Sequence, residues 1–203
     1  MRRVANGFVI ILSVLLSILH GGVGEKKFSL ILEGRGGLFR PAPEKFASIY
    51  GNNSVMKSAT LGLGYGKTFL VARYRLFEAN GKSVVSGIDL DGSANWRQEF
   101  ISLGIRSYAQ NLFYAELAYV VASVEESIST SEPAYTALNS TYSTDNNRGA
   151  SVAIGITLPI VLGFNLSGEV EYVFVETTEP GRTKEDKLNI GGPTYGLGIS
   201  FVF

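Results

Sequence analysis

The last nine residues of the chain place large apolar side chains at every second position. One parity holds Tyr195, Leu197, Ile199, Phe201 and Phe203, and the other holds small residues. Successive side chains of a β-strand point to opposite faces, so this stretch predicts a strand with one apolar face and one small, polar face. Lipid outside and a small polar lumen inside would explain both faces.

The same stretch resembles the C-terminal signature of bacterial outer-membrane β-barrels, in which a glycine precedes aromatic residues at alternate positions and a final Phe. Gly198, Phe201 and Phe203 match this signature, whereas Gly196 stands where a polar residue is favoured. The resemblance implies a small barrel of the OmpA/OmpX-like kind (the outer membrane protein beta-barrel domain family) in the bacterial outer membrane. It also implies that the three matching residues act as an assembly signal for the barrel-assembly machinery.

The start of the chain predicts export. Two arginines precede an apolar run over 8–19, and small residues up to Gly24 suit a cleavage site. A transmembrane anchor is the competing interpretation, but the run is well short of the roughly 20 residues that span a bilayer. We therefore expect a cleavable signal peptide over 1–24 and an outer-membrane β-barrel over 25–203.

Composition excludes several classes of function. The chain has no cysteine, which rules out a disulfide scaffold, a thiolate zinc site and a lipidated N-terminal cysteine. Removing the two arginines of the signal peptide from the 18 basic residues leaves 16 against 18 acidic ones. No basic surplus is left to bind nucleic acid, so we expect no such partner.

The sequence contains few patterns that are typical of catalytic or metal sites. The single histidine, His20, falls in the predicted signal peptide, so a Ser–His hydrolase is excluded. Asp89 and Asp91 resemble the start of a calcium loop, but the remaining ligand spacing is missing and a solvated acidic turn is the favoured interpretation. We expect no enzyme, no catalytic residue, no cofactor and no metal site.

Seven further segments alternate in the same way as the C-terminal stretch. They cover 27–39, 56–65, 68–78, 95–107, 112–124, 149–158 and 164–175. The connections between the eight segments alternate between long and short. The longest, over 125–148, is polar and predicted to be a mobile loop, and the first, over 40–51, is predicted to carry a short helix.

This alternation of connections decides the topology. Outer-membrane barrels have an even number of antiparallel strands, short periplasmic turns and longer extracellular loops. The sequence therefore predicts an all-β fold, an eight-stranded antiparallel up-and-down transmembrane barrel with both termini on the periplasmic side. A soluble lipocalin-like barrel is the alternative, but the second face of each segment is too polar to line an apolar pocket.

Aromatic residues have two predicted positions. One set lies at strand ends beside the short turns, where an interfacial belt is expected: Tyr65, Phe113, Phe164 and Phe203. A second set lies in the long connections, where tyrosines suit either a recognition surface or loop packing: Tyr50, Tyr135 and Tyr142.

The small, polar face of the strands also carries charge. Parity assigns four arginines and four glutamates to the lumen: Arg35, Arg73, Arg75, Arg106, Glu33, Glu116, Glu169 and Glu171. Isolated buried charges are costly, so we expect these side chains to form an ion-pair network that plugs the barrel. The alternative is a hydrated cavity in which some of these charges tolerate one another.

These patterns favour a non-enzymatic structural or surface-interaction protein whose lumen is plugged by the Arg/Glu network. The alternative is a narrow pore for water, ions or small solutes, although an eight-stranded barrel is just wide enough for side chains to fill. The expected partners are outer-membrane lipids, the barrel-assembly machinery and an extracellular ligand bound through the long loops.

Overall fold

The structure is a computed structural model, and it describes residues 28–42, 46–51, 54–82, 84–85, 88–89, 92–133, 136, 139–161, 163–178 and 187–203. The predicted signal peptide lies outside these residues. The described chain forms one short helix, α1 (Phe46–Tyr50), and the strands β1 (Phe28–Phe39), β2 (Ser54–Tyr65), β3 (Thr68–Gly81), β4 (Val84–Val85), β5 (Ile88–Asp89), β6 (Gly92–Ala109), β7 (Phe113–Thr130), β8 (Ser140–Val161), β9 (Phe164–Thr178), β10 (Lys187–Asn189) and β11 (Gly192–Val202).

Eight of these strands close into a ring. The order around it is β1, β2, β3, β6, β7, β8, β9 and β11, and every neighbouring pair is antiparallel. The closing pair, β1 with β11, runs in register from Ile31 opposite Val202 to Phe39 opposite Thr194. The predicted eight-stranded antiparallel barrel is confirmed, and closure leaves no strand edge unpaired in lipid.

Short turns gather at one end of the barrel, here called the short-turn end. Gly66 takes a φ of +65° in the turn between β2 and β3, a conformation that costs glycine little. Gln110 and Asn111 take φ of 53° and 60° between β6 and β7. The opposite, long-loop end carries the longer connections, and by the rule for outer-membrane barrels it faces the outside of the cell.

A continuous apolar band surrounds the barrel near the short-turn end. The outward side chains of this band are 40% exposed or more: Leu61, Leu63, Leu70, Ile101, Leu103, Ile105, Val152, Ile154, Ile156, Leu166, Val170, Leu197 and Ile199. The predicted belt residues Tyr65, Phe113, Phe164 and Phe203 lie exposed at its short-turn edge. Water would penalise a patch of this size, so the band faces lipid.

Several strands continue beyond the lipid-facing band, which corrects one expectation. The segment 125–148 was predicted to be the longest loop, but β7 runs to Thr130 and β8 begins at Ser140. A register shift lies between Ala122 and Val124 of β7, and the Asn147 amide donates to the backbone oxygen of Ala122 at 3.2 Å. Residues 125–130 and 140–148 of this stretch therefore belong to strands and not to a loop.

The connection between β1 and β2 contains α1, as predicted. Gly51, with a φ of +76°, ends this helix, and its N–H donates to the Ala47 oxygen at 3.1 Å. The helix folds into the long-loop end of the barrel, so Tyr50 is only 8% exposed. Of the two interpretations of Tyr50, packing within the connection agrees with the structure and a recognition surface does not, because its ring stacks on Phe46 with centroids 4.8 Å apart.

The barrel interior has three layers. Next to the short-turn end is the lower apolar cluster, formed by Ile31, Phe69, Val71, Tyr108 and Tyr114. The charged side chains follow. The upper apolar cluster fills the long-loop half: Phe39, Phe46, Tyr50, Met56, Phe77, Ala79, Ala94, Trp96, Phe100, Val120, Ala122, Val124, Val173, Val175 and Ile190. Within the described part of the chain, no helix is long and apolar enough to cross a membrane.

Candidate functional site

Five strands supply the charged layer of the lumen. Glu33 and Arg35 come from β1, Arg73 and Arg75 from β3, and one charge or pair of charges from each of β6, β7 and β9. The complete set is Glu33, Arg35, Arg73, Arg75, Arg106, Glu116, Glu169 and Glu171, and all eight are at most 9% exposed. Alternation along each strand turns them inward, and six of them lie at a similar distance from the short-turn end. Arg106 and Glu116 lie nearer to that end.

Arg73 lies at the centre of this layer. Its Nη1 donates to Glu169 Oε1 at 2.8 Å and to Glu171 Oε2 at 3.1 Å. Its Nη2 donates to Glu116 Oε2 at 2.8 Å, and Nε reaches Thr60 Oγ1 at 3.2 Å. One planar guanidinium thus joins carboxylates from β7 and from β9, the strand opposite β3 in the ring, a geometry that suits arginine better than lysine.

The other three arginines complete the network. Arg106 donates from Nε to Glu116 Oε2 at 2.9 Å and from Nη1 to Glu33 Oε2 at 2.8 Å. Arg35 forms ion pairs with Glu33 and Glu169, and Arg75 pairs with Glu171. All eight side chains that parity assigned to the lumen are therefore connected through ion pairs.

Neutral side chains also bind the charged groups, although the sequence analysis did not identify them as part of the site. The Tyr114 hydroxyl accepts from Arg35 Nη2 and donates to Glu169 Oε2, both at 2.8 Å. Ser167 Oγ donates to Glu33 Oε1 at 2.7 Å. Tyr114 and Ser167 both have inward parity, and this is the signal by which the sequence could have indicated them.

Tyr114 also contacts the network through its ring. The guanidinium carbon of Arg106 lies 4.4 Å from the ring centroid of Tyr114, a cation–π geometry. On its other side, Tyr114 lies 5.4 Å from Tyr108, and Tyr108 lies 5.6 Å from Phe69. The lower apolar cluster is therefore in direct contact with the charged layer through Tyr114.

The upper apolar cluster covers the opposite side of the charged layer. Phe39 packs edge-on against Phe77 at 4.8 Å and against Phe100 at 5.8 Å between ring centroids. Phe77 follows Arg75 by two residues on β3, so the two inward side chains are consecutive. Low polarity above and below strengthens the ion pairs and raises the cost of leaving any one of them unpaired.

The residues of the predicted assembly signal lie on β11 and at its end. Gly198 stands opposite Arg35 of β1, and a Cβ atom at this glycine would approach the Gly34 oxygen to 2.7 Å. Phe201 lies 4.5 Å from both Phe164 and Phe203 between ring centroids. The three residues therefore lie at the seam that closes the barrel and in the aromatic belt beside it.

The described residues contain no group of three or more His, Cys, Asp or Glu side chains able to hold a metal ion. Asp89 lies in β5, which pairs with β4 in a two-residue ladder, and Asp91 lies outside the described residues. His20 also lies outside them.

No protein-family model matches the chain, and no curated protein matches it. Among solved structures, the chain is similar to the outer membrane protein OprG of Pseudomonas aeruginosa, with a TM-score of 0.60 and 14% identity over 89% of this chain and 98% of that one. For Ail, the attachment invasion locus protein of Yersinia pestis, the TM-score is 0.54 and the identity 10%, over 87% and 98%.

A major outer membrane protein of Thermus thermophilus gives a TM-score of 0.52 and 13% identity over 86% of this chain and 99% of that one. At these identities the likeness shows a shared fold, that of small bacterial outer-membrane β-barrels. The closed ring, the lipid-facing band and the polar layer inside are the architecture of such barrels. The chain accordingly has the fold of an outer-membrane β-barrel.

Proposed function

We propose that this chain is a non-enzymatic outer-membrane protein with a structural or surface-interaction role, and that the Arg/Glu network plugs its lumen. The order of buried side chains along the strands carries the proposal. On β3, Phe69 and Val71 precede Arg73 and Arg75, and Phe77 follows; each is at most 5% exposed. In a barrel of eight strands, such a succession of side chains leaves little room for a water-filled path.

The occupation of the lumenal carboxylates supports a role without catalysis. Each of the four glutamates accepts a hydrogen bond or ion pair from at least one arginine. A general base needs a carboxylate that is available to a substrate proton, and these four are held by cations. The described residues also contain no histidine that could serve instead.

The proposal includes the route by which the protein reaches the membrane. Residues 1–24 would be removed after export, and the barrel-assembly machinery would recognise Gly198, Phe201 and Phe203 while outer-membrane lipids receive the apolar band. If so, Phe203→Ala slows assembly in cells without changing the fold, whereas Phe28→Ala, at another exposed position of the short-turn end, has little effect. Equal assembly rates for the two variants would count against this role of Phe203.

The long-loop end is the part of the barrel that would meet an extracellular ligand. Ail of Yersinia pestis, which shares the fold, has been solved in complex with the heparin analogue sucrose octasulfate. That complex supports ligand binding as a role for barrels of this size.

A narrow pore is the second candidate function, and two buried atoms favour it. Arg106 Nη2 and Glu116 Oε1 have no hydrogen-bond partner among the described residues. Buried polar atoms of this kind commonly bind internal water. Water inside the charged layer would be the start of a conducting path if the apolar clusters opened.

Conductance in planar bilayers separates the two candidates. We expect the purified wild-type protein to produce no steady current steps above the leak of the bilayer. The Arg73→Ala variant, which leaves Glu116 and Glu169 with one cation fewer, should admit ions intermittently. Large and steady conductance of the wild-type protein would overturn the plug and favour the pore.

A further inference from the structure

A cavity of about 510 Å³ opens inside the long-loop end of the barrel. Its wall is formed by residues of α1 and of the strands β6 to β10, and some of these residues belong to the upper apolar cluster. Cavities of about 300–1,000 Å³ with mostly apolar walls are the usual size of sites for small organic ligands. This cavity is separate from the charged layer, which the two apolar clusters enclose.

The wall of the cavity is mainly aromatic and aliphatic. Phe46 and Tyr50 come from α1, and the Trp96 ring packs edge-on against them at 5.4 Å and 5.9 Å between centroids. Ile49 and Ile128 are only partly buried although both pack on the upper apolar cluster. Apolar surface of the interior is thus left facing the cavity.

Glu126 is the one charged side chain among the described residues that line this cavity. The Tyr50 hydroxyl donates to Glu126 Oε1 at 2.7 Å. Burial and this carboxylate raise the pKa of Tyr50, so the phenol remains a donor at neutral pH. An ionised carboxylate offers about four acceptor positions, so a single phenol leaves room for a further donor.

We propose that this cavity binds a small hydrophobic amine, with its apolar body against Trp96 and Ile128 and its ammonium group against Glu126. A carboxylate in apolar surroundings is stabilised by a cation and gains much less from a neutral ligand. The aromatic rings around it add cation–π attraction for the same ammonium group. An anionic ligand of the same shape would meet repulsion from Glu126.

The inference rests on the proposed surface-interaction role, because the cavity opens at the long-loop end. Binding and conductance are independent readouts, so a silent bilayer neither supports nor contradicts the amine site. Trp96 is the only tryptophan of the chain and is a wall residue of the cavity, so its fluorescence responds to a ligand that binds there.

The experiment titrates the purified barrel in lipid nanodiscs at pH 7 with 2-phenylethylamine, and follows Trp96 fluorescence. The neutral and anionic probes of matched shape are 2-phenylethanol and phenylacetate. We expect a saturable change with the amine and an affinity at least about tenfold higher than for the alcohol, since a charged hydrogen bond contributes this much. Phenylacetate should give no saturable change.

Glu126→Gln should lower the affinity for the amine by at least about tenfold and leave the alcohol unaffected. Glu125→Gln is the matched control, because Glu125 is the neighbouring residue on β7 and is exposed on the outer face. It should change the affinity by less than about twofold, as expected for a surface charge.

The proposal is overturned if the amine gives no saturable change, if amine and alcohol bind equally, or if the two Glu variants lose affinity alike. Should Glu126→Gln fail to assemble, the comparison of amine with alcohol on the wild-type protein decides the question alone.

Discussion

The two halves of the barrel place polar and apolar side chains on opposite faces of the sheet. In the lipid-facing half, Arg73 points inward with 2% of its surface exposed and Ile154 points outward with 63% exposed. In the half beyond the lipid, Trp96 points inward with 8% of its surface exposed, and Arg97 points outward with half of its side chain exposed. The backbone is continuous, so the surrounding solvent decides which face of a strand is apolar.

This contrast assigns different origins to the stability of the two halves. The half beyond the lipid is held by burial of aromatic and aliphatic side chains, as in a soluble barrel. In the lipid-facing half, lipid receives the apolar side chains, and the interior is held by paired charges whose separation is costly. Matched substitutions in the two halves should therefore have unequal effects.

The largest expected effect compares two arginines that each pair with glutamates. Arg73→Ala should lower the free energy of unfolding by about 3–5 kcal/mol, since it leaves four buried carboxylates with three buried cations. Arg97→Ala removes an exposed pair with Glu99 at 2.7 Å and should cost at most about 1 kcal/mol. Urea titration of the two variants in lipid vesicles, followed by Trp96 fluorescence, measures both values, and equal costs would contradict the contrast.

A smaller effect is expected from adding a charge to the outer face. Ile154→Arg, Leu103→Arg and Leu197→Arg should each block assembly, because an arginine facing the middle of the bilayer costs roughly 2–4 kcal/mol. Asn95→Arg, at an exposed position of β6 beyond the lipid, should change stability by less than about 0.5 kcal/mol. Outer-membrane fractions of cells show which variants assemble. Normal amounts of all three lipid-face variants would show that these faces do not meet lipid.

The smallest effect comes from deleting one methylene in each half. Ile190→Val, at a fully buried position of the upper apolar cluster, should cost about 0.5–1.5 kcal/mol because it leaves a small void. Ile154→Val should be close to neutral, because lipid chains fill the space that the side chain vacates. The same urea titration resolves the difference, and a larger cost for Ile154→Val would place the better-packed region on the lipid face.

Alternation predicted the barrel and the residues of its charged layer well. Period two assigns a face to each residue, and the short turns fix which strands are neighbours, so closure and the inward direction of Glu33 or Arg106 follow from local sequence. The partners of each charge do not follow. Arg73 meets Glu169, which is 96 residues away, and this contact depends on how far the strands are staggered around the ring.

The half beyond the lipid was predicted poorly, for the same physical reason that the two halves differ. If lipid surrounds every strand, a stretch with polar residues on both faces predicts a loop, and the polar stretch around Ser140 has this pattern. Phe77 and Phe100 have inward parity, but the sequence pattern predicts a polar lumen, in which large aromatic side chains are not expected. The inward folding of α1 depends on such inward aromatic side chains. No local sequence pattern around Tyr50 indicates that the helix folds inward.

Closure of the lumen at the charged layer is tested most directly by the accessibility of a single cysteine. The chain has no cysteine of its own, and Ser102, which lies inside the barrel with 3% of its surface exposed, accepts a hydrogen bond from Arg75 Nη1 at 3.2 Å. In the folded protein, Ser102→Cys should react with a small cationic thiosulfonate at least about 100-fold more slowly than Lys67→Cys at the exposed short turn, because labelling requires local opening. Combining Ser102→Cys with Arg73→Ala should remove most of this protection. Equal labelling rates at the two positions in the otherwise wild-type barrel would contradict a closed lumen.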